Sequence, residues 1–294
     1  VKLSYAIGSP NFSLERDLIV CDKDGRVARP SQHAIRDRDP RVRGRDLLTE
    51  VSIMEVVSSE VSIRTGAERM PAHLARPASG GPYPALVVVM EAFGLNDQIK
   101  RITNQFAAEG FVAISPNLYF RQPNNVVGYN DLPGAFRLMG TVNDDQLAAD
   151  MGAAIDHLKA MKEVKPAFGT VGFCMGGLVA FLTACRNPAV KATVPFYGGG
   201  MVKSRHAGIR SPIEYVDRLK ATVLAFFGGK DAFIPITEVD EFRDALKKAG
   251  KPAEVVFYPD ADHGFMCDDR PSFHPVHSKE AWARTIAFFK EYLG

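Results

Sequence analysis

Residues 172–177 read Gly-Phe-Cys-Met-Gly-Gly, and this stretch decides the fold. The residues before it, AFGT (167–170) and Val171, have the apolar, strand-sized character of a buried β-strand. The residues after it, LVAFLTAC (178–185), form an apolar helical run. A strand that passes through a glycine-flanked residue into a helix makes a sharp elbow, with the side chain at its tip left accessible. Sequences of the form G-x-S-x-G place a hydroxyl there; this chain places the thiol of Cys174. A cysteine beside glycines is also an ordinary small core residue. The rest of the chain has to decide between the two readings.

Outward from the elbow, strands alternate with helices. VSIRT and MPAHLARP flank a short turn and read as a hairpin. PALVVVMEAFG is a fully buried strand running into a loop, and DQIKRITNQFAAEG is a helix with Ile99, Ile102 and Phe106 on one face and Gly110 as its stop. FVAISPNLYF is predicted as the next strand. DDQLAADMGAAIDHLKAM spaces Leu147, Met151, Ile155 and Leu158 as a helix. ATVPFYG, TVLAFFGG and AEVVFYP are further strands. Thr237 and Asp240 resemble a capping box for a helix ending at Gly250, and SKEAWARTIAFFKEYL is a closing helix with Trp282, Ile286, Phe289 and Leu293 inward. This alternation predicts an α/β protein: a mainly parallel central sheet with helices on both faces and an antiparallel N-terminal hairpin at its edge. The expected domain covers residues 51–294. Residues 1–50 are rich in Arg, Asp, Pro and Ser and are expected to be an extension that packs on the main domain or frays from it.

Composition narrows the function classes. The chain of 294 residues carries a formal charge of only +2, which gives no reason to expect a nucleic-acid or acidic-lipid partner. Its most arginine-rich stretch, RDRDPRVRGRD (36–46), alternates with aspartates that weaken its field. No apolar run approaches the ~20 residues of a membrane span, and the first residues lack the order of a secretory signal. Cys21, Cys174, Cys185 and Cys267 form no C-x-x-C pair, so zinc and dithiol redox motifs are not indicated. A nucleophilic thiol must stay reduced, which points to a cytoplasmic setting.

Two more turns give the elbow a chemical meaning. FGGKDAFIP (227–235) follows a strand and presents Asp231; PDADHGF (259–265) follows the last strand and presents His263. The order is nucleophile, acid, histidine, each just beyond the carboxyl end of a separate strand, as α/β hydrolases arrange them. Either residue alone could be structural, but three such turns in this order predict a Cys174–His263–Asp231 triad.

MEAFG, NLYFRQ, GFCMGG, FYGGG, GGKDAFIP and DADHGF, at their spacing here, resemble the dienelactone hydrolase family from about residue 51 onward. The resemblance implies Cys174 as nucleophile, His263 as base and Asp231 as its orienter. It implies that Glu91 interacts with the resting neutral thiol and gates it, and that Arg121 binds a substrate carboxylate. Tyr197 is a weaker candidate for lining the pocket. One position departs from the family pattern: where members carry a second carboxylate-binding arginine shortly after the histidine, this chain has Cys267, with Arg270 nearby but out of register. Elbow geometry assigns one oxyanion donor to the backbone N–H of Met175, and the loop after ALVVVME supplies the other, most simply Ala92.

The implied reaction opens an unsaturated enol lactone, dienelactone to maleylacetate, through a thioester, with no metal or organic cofactor. A broad esterase acting on activated esters is the alternative, favoured by the change at Cys267. Other readings are a non-catalytic binding module and a redox sensor with Cys267 as the resolving thiol. The expected partner is a small lactone or activated ester, and the expected state a monomer or homodimer.

Overall fold

The computed structural model describes residues 54–205 and 208–294; the extension expected over residues 1–50, with Cys21, lies outside them. β1 (Val56–Thr65) and β2 (Glu68–Pro77) form the expected antiparallel hairpin around Gly66, which sits at φ 57 where a side chain would be strained. The strands that follow are β3 (Tyr83–Val89), β4 (Val112–Pro116), β5 (Val164–Phe173), β6 (Val190–Phe196), β7 (Thr222–Gly228) and β8 (Ala253–Tyr258). The sheet has eight strands in the order β1-β2-β4-β3-β5-β6-β7-β8. β2 pairs antiparallel with β4, and every pairing from β4 through β8 is parallel.

The helices are α1 (Asp97–Ala108), α2 (Leu132–Met139), α3 (Asp144–Lys159), α4 (Met175–Arg186), α5 (Ile236–Lys248) and α6 (Pro275–Leu293). α4 and α6 both pack on β5 and β6, so β6 and the second half of β5, from Phe168 to Phe173, are mostly buried. α4 is itself buried from Met175 to Cys185, which is why its sequence is apolar all round. α6 docks through Ile286, Phe289 and Leu293, and Trp282 lies 4.6 Å from the ring of Phe106 on α1. Among the described residues no helix is long and apolar enough to cross a membrane.

Three local expectations change. β4 stops at Pro116 rather than running to Phe120, because Asn117 turns the chain: its side-chain and main-chain oxygens accept from the N–H groups of Tyr119 and Phe120. α5 begins at Ile236 after Pro235 and has no side-chain cap, so Thr237 and Asp240 lie inside the helix, where Asp240 pairs with Arg243. α2 was not anticipated. Asp131 caps it by accepting from Gly134 N–H at 2.9 Å.

The strand order places the site. From β3 the chain crosses to β4 on one side, then returns past β3 to β5 on the other. The carboxyl ends of β3 and β5 therefore flank a switch point, the position at which open α/β sheets form a crevice. Glu91 and Ala92 follow β3, and Cys174 follows β5.

Candidate active site

Cys174 sits at φ 56 and ψ −120, between β5 and α4. A non-glycine residue held at positive φ costs about 1–3 kcal/mol and survives only where its surroundings enforce it. Here they do, through glycine. A Cβ on Gly172 would lie 2.0 Å from Gly176 O, one on Gly176 2.4 Å from Val89 O, and one on Gly177 2.5 Å from Phe196 O. Strand, helix and both neighbouring strands thus meet backbone to backbone, and Cys174 N–H donates to Phe196 O at 3.1 Å. The thiol consequently stands at the N-terminus of α4, where the helix dipole favours negative charge. Met175 N–H belongs to the first turn, whose donors have no intrahelical acceptor.

His263 faces Cys174 on one side and Asp231 on the other. Its Nδ1 is 2.7 Å from Asp231 Oδ2, which leaves Nε2 as the ring nitrogen available to Cys174. Asp231 Oδ1 accepts from the N–H groups of Phe233 (2.8 Å) and Ile234 (3.1 Å), so the loop that carries the carboxylate also orients it. Burial opposes a charge on His263, but Cys174 and Asp231 outweigh it and push its pKa up to about 10. The rings of Tyr197 and Phe233 each meet the imidazole edge to face at 5.1 Å.

Glu91 is 1% exposed. Burial raises its pKa, against the pull of Arg270 and His263. Arg270 Nη1 lies 3.5 Å from Glu91 Oε1, and no described residue gives either carboxylate oxygen a well-formed hydrogen bond. Glu91 is therefore turned to Arg270. The guanidinium of Arg270 also lies over the rings of Phe93 and Tyr129, at 5.5 and 5.7 Å. Gly264 makes room for it, since a Cβ there would meet Arg270 Nη1 at 2.3 Å.

Three expectations need correction. Arg121 is not among the residues lining the cavity at Cys174. Its fork is committed to Asp150, with Nη1 donating to Oδ2 at 2.6 Å and Nη2 to Oδ1 at 3.1 Å, and its Nε donates to Glu68 at 2.7 Å. Asp150 is buried and needs that cation. Tyr197 does not line the cavity either; it is buried behind His263, packed against Phe265 at 5.3 Å. Cys267 is fully buried, and burial together with Glu91 raises its thiol to about 11, which makes it a poor resolving nucleophile. Cys174, Cys185 and Cys267 are all free thiols.

A cavity of about 320 Å³ opens over Cys174 and His263, with Met175 and Ala92 in its lining as the oxyanion assignment requires. Arg270, left open by the sequence, lines it in place of Arg121. Sequence reasoning missed the wall built by α2, although Asp131 followed by Pro133 is a recognisable helix start. It also missed Tyr119, whose buried hydroxyl donates to Met175 Sδ at 2.9 Å and fixes the side chain beside the nucleophile. Such an arrangement can generate a thiolate, hold an imidazolium beside it and aim backbone donors at a developing oxyanion.

Fold and site together define an α/β hydrolase. The sequence profile of the dienelactone hydrolase family matches residues 70–293, and the chain belongs to that family. It is 35% identical over 238 residues to the "Putative carboxymethylenebutenolidase" of Methylorubrum extorquens, covering 81% of this chain and 82% of that one. A protein of the same name from Escherichia coli K12 is 36% identical over 247 residues, 81% of this chain and 89% of that one. The crystal structure titled as a putative dienelactone hydrolase from Klebsiella pneumoniae superposes with a TM-score of 0.76 at 37% identity, over 81% of this chain and all of that one. The protein is accordingly a hydrolase of ester bonds, lactones included.

Proposed function

We propose that the chain hydrolyses activated esters, enol lactones among them, through a Cys174 thioester. The supporting observation is Cys174 at the elbow, sharing one cavity with a His263 whose Nδ1 is 2.7 Å from Asp231. His263, held as an imidazolium beside Asp231, pairs with the thiolate of Cys174. The thiolate attacks the carbonyl carbon, and the oxyanion accepts hydrogen bonds from the N–H groups of Met175 and Ala92. Collapse expels the leaving oxygen, which His263 protonates. A water molecule activated by His263 then cleaves the thioester, releasing the acid and restoring the thiol.

Sulfur selects the substrate. A less basic leaving group departs faster, and a thiolate is far less basic than an alkoxide. A plain alkyl ester therefore mostly returns to substrate from the tetrahedral intermediate, whereas an enolate or phenolate departs. Dienelactone itself, the substrate class of a carboxymethylenebutenolidase, is the second reading. It is favoured by Arg270, which lines the cavity and could exchange Glu91 for a substrate carboxylate.

Steady-state kinetics on dienelactone, its methyl ester, p-nitrophenyl acetate and ethyl butyrate separate these readings. The expectation is turnover of all three activated substrates, little on ethyl butyrate, and none by Cys174→Ala. A KM that rises about tenfold or more when the dienelactone carboxylate is methylated would favour the second reading. Ethyl butyrate turned over as fast as the activated esters would overturn the thioester mechanism.

A further inference from the structure

We propose that the slot between α2 and the loop after β7 binds an extended apolar leaving group, so that the substrate is an ester or enol ester whose departing oxygen carries a hydrophobic arm. This inference rests on the proposed cysteine mechanism, because it uses His263 as the acid that protonates the leaving oxygen.

One wall of the slot is Leu132, Ala135, Phe136 and Met139 of α2; the other is Phe233 and Ile234, next to Asp231. All six share one cavity with Cys174 and His263. Leu132 (42%), Phe136 (54%) and Phe233 (47%) line the cavity and remain substantially exposed. Exposed apolar clusters that border a cavity mark ligand sites. Leu132 and Phe136 stand one helical turn apart on a two-turn helix, so α2 presents a continuous apolar edge to the opening.

Charge points the same way. The two arginines in the lining both already face carboxylates: Arg205 pairs with Glu238 and also donates to Phe233 O, and Arg270 pairs with Glu91. The Arg205–Glu238 pair is fixed further by Gly200 N–H, which donates to Glu238 Oε1 at 2.7 Å. With both cations neutralised, the slot suits an uncharged arm.

The side of the substrate follows from His263. The group that protonates the leaving oxygen must lie beside it. Phe233, whose ring lies 5.1 Å from the imidazole, also lines the slot. The departing group therefore enters the slot, and the acyl group takes the remainder of the lining, which includes Ala92 and Phe93.

The test compares two ester series. In the first, acetyl is kept constant and the leaving group is 4-methyl-, 4-ethyl-, 4-butyl- or 4-hexylphenol, whose acidities are nearly the same. In the second, p-nitrophenol is kept constant and the acyl chain grows from acetyl to hexanoyl. The expected result is a kcat/KM that rises about twofold per added methylene in the first series, below the ~4-fold of complete burial because the slot is half open. The second series should stay flat or fall. Phe136→Ser, at an exposed rim position, should fold normally and reduce the rise in the first series by about half. A flat first series, a rise confined to the acyl series, or an unchanged profile in Phe136→Ser overturns the inference. Cys174→Ala keeps the two claims apart. If it is inactive while the first series is flat, only the slot assignment fails. If it retains activity, the cysteine mechanism fails, whatever the slope.

Discussion

Arg270 lines the cavity and Arg121 does not, and the reason is a carboxylate distant in sequence from Arg121. Asp150 lies on α3 at 1% side-chain exposure and takes a bidentate bond from Arg121 as well as a hydrogen bond from Thr65 at 2.8 Å. Removing one partner of a buried ion pair leaves an unpaired charge and typically costs about 3–5 kcal/mol. Arg121 is itself about a quarter exposed, so the lower end applies. Arg121→Ala is therefore expected to lower the urea midpoint clearly while the folded fraction keeps its KM for p-nitrophenyl acetate and for dienelactone. A KM for dienelactone raised tenfold, with stability unchanged, would return Arg121 to the substrate. Cys174, Asp231 and His263 were legible because each is set by local punctuation: glycines that only a backbone contact requires, and loops that follow strands. The partner of an arginine is a tertiary fact, and nothing within a few residues of Arg121 announces Asp150.

Among the elements, the loop after β8 and the start of α6 act as one unit. Asp260, three residues before His263, meets His277 Nε2 at 2.6 Å and His274 Nε2 at 3.3 Å. His277 stacks on Tyr258 at 4.2 Å, and Phe265 O accepts from His274 N–H (3.0 Å) and Ser278 Oγ (2.6 Å). The loop that carries His263 is thus pinned to the first turn of α6 on both sides of the histidine. Asp260→Ala should loosen that anchor without unfolding the protein, since Asp260 is mostly exposed. The expected outcome is a kcat several-fold lower with KM and melting temperature nearly unchanged; an unaltered kcat would show that the backbone bonds to Phe265 suffice. α6 was legible from its inward face, and the loop from its histidine. α2 was not, because its apolar residues are divided between the core and the mouth of the cavity. A two-turn helix whose Leu132 and Phe136 face outward gives no stripe that periodicity can separate from a loop.

At the scale of the sheet, its mainly parallel character was legible in the alternation of strands and helices, since parallel neighbours need crossovers. The sheet then concentrates its unfavourable features at the carboxyl ends of its strands. The strained Cys174 and the buried Glu91, Asp231 and His263 all lie beyond the carboxyl ends of strands whose interiors are apolar. Such a site leaves a signature in global stability. His263 is raised from 6.5 to about 10 against the opposition of burial, by Cys174 and then Asp231. The folded state therefore holds a proton that the unfolded state has lost. Its contribution is complete below about pH 6.5, declines as the pH rises, and is gone above about pH 10. The raised pKa of Glu91 acts in the same sense, since a carboxyl that burial pushes up also loses stability as rising pH ionises it. Urea midpoints should accordingly fall between pH 6.5 and pH 10 in the wild type and level off above it. His263→Gln removes the titrating imidazole and should flatten most of that decline. A wild-type midpoint that rises through this window, or a variant that falls as steeply as the wild type, would show that His263 carries no extra proton in the folded protein, and with it would go the imidazolium from which the leaving oxygen takes its proton.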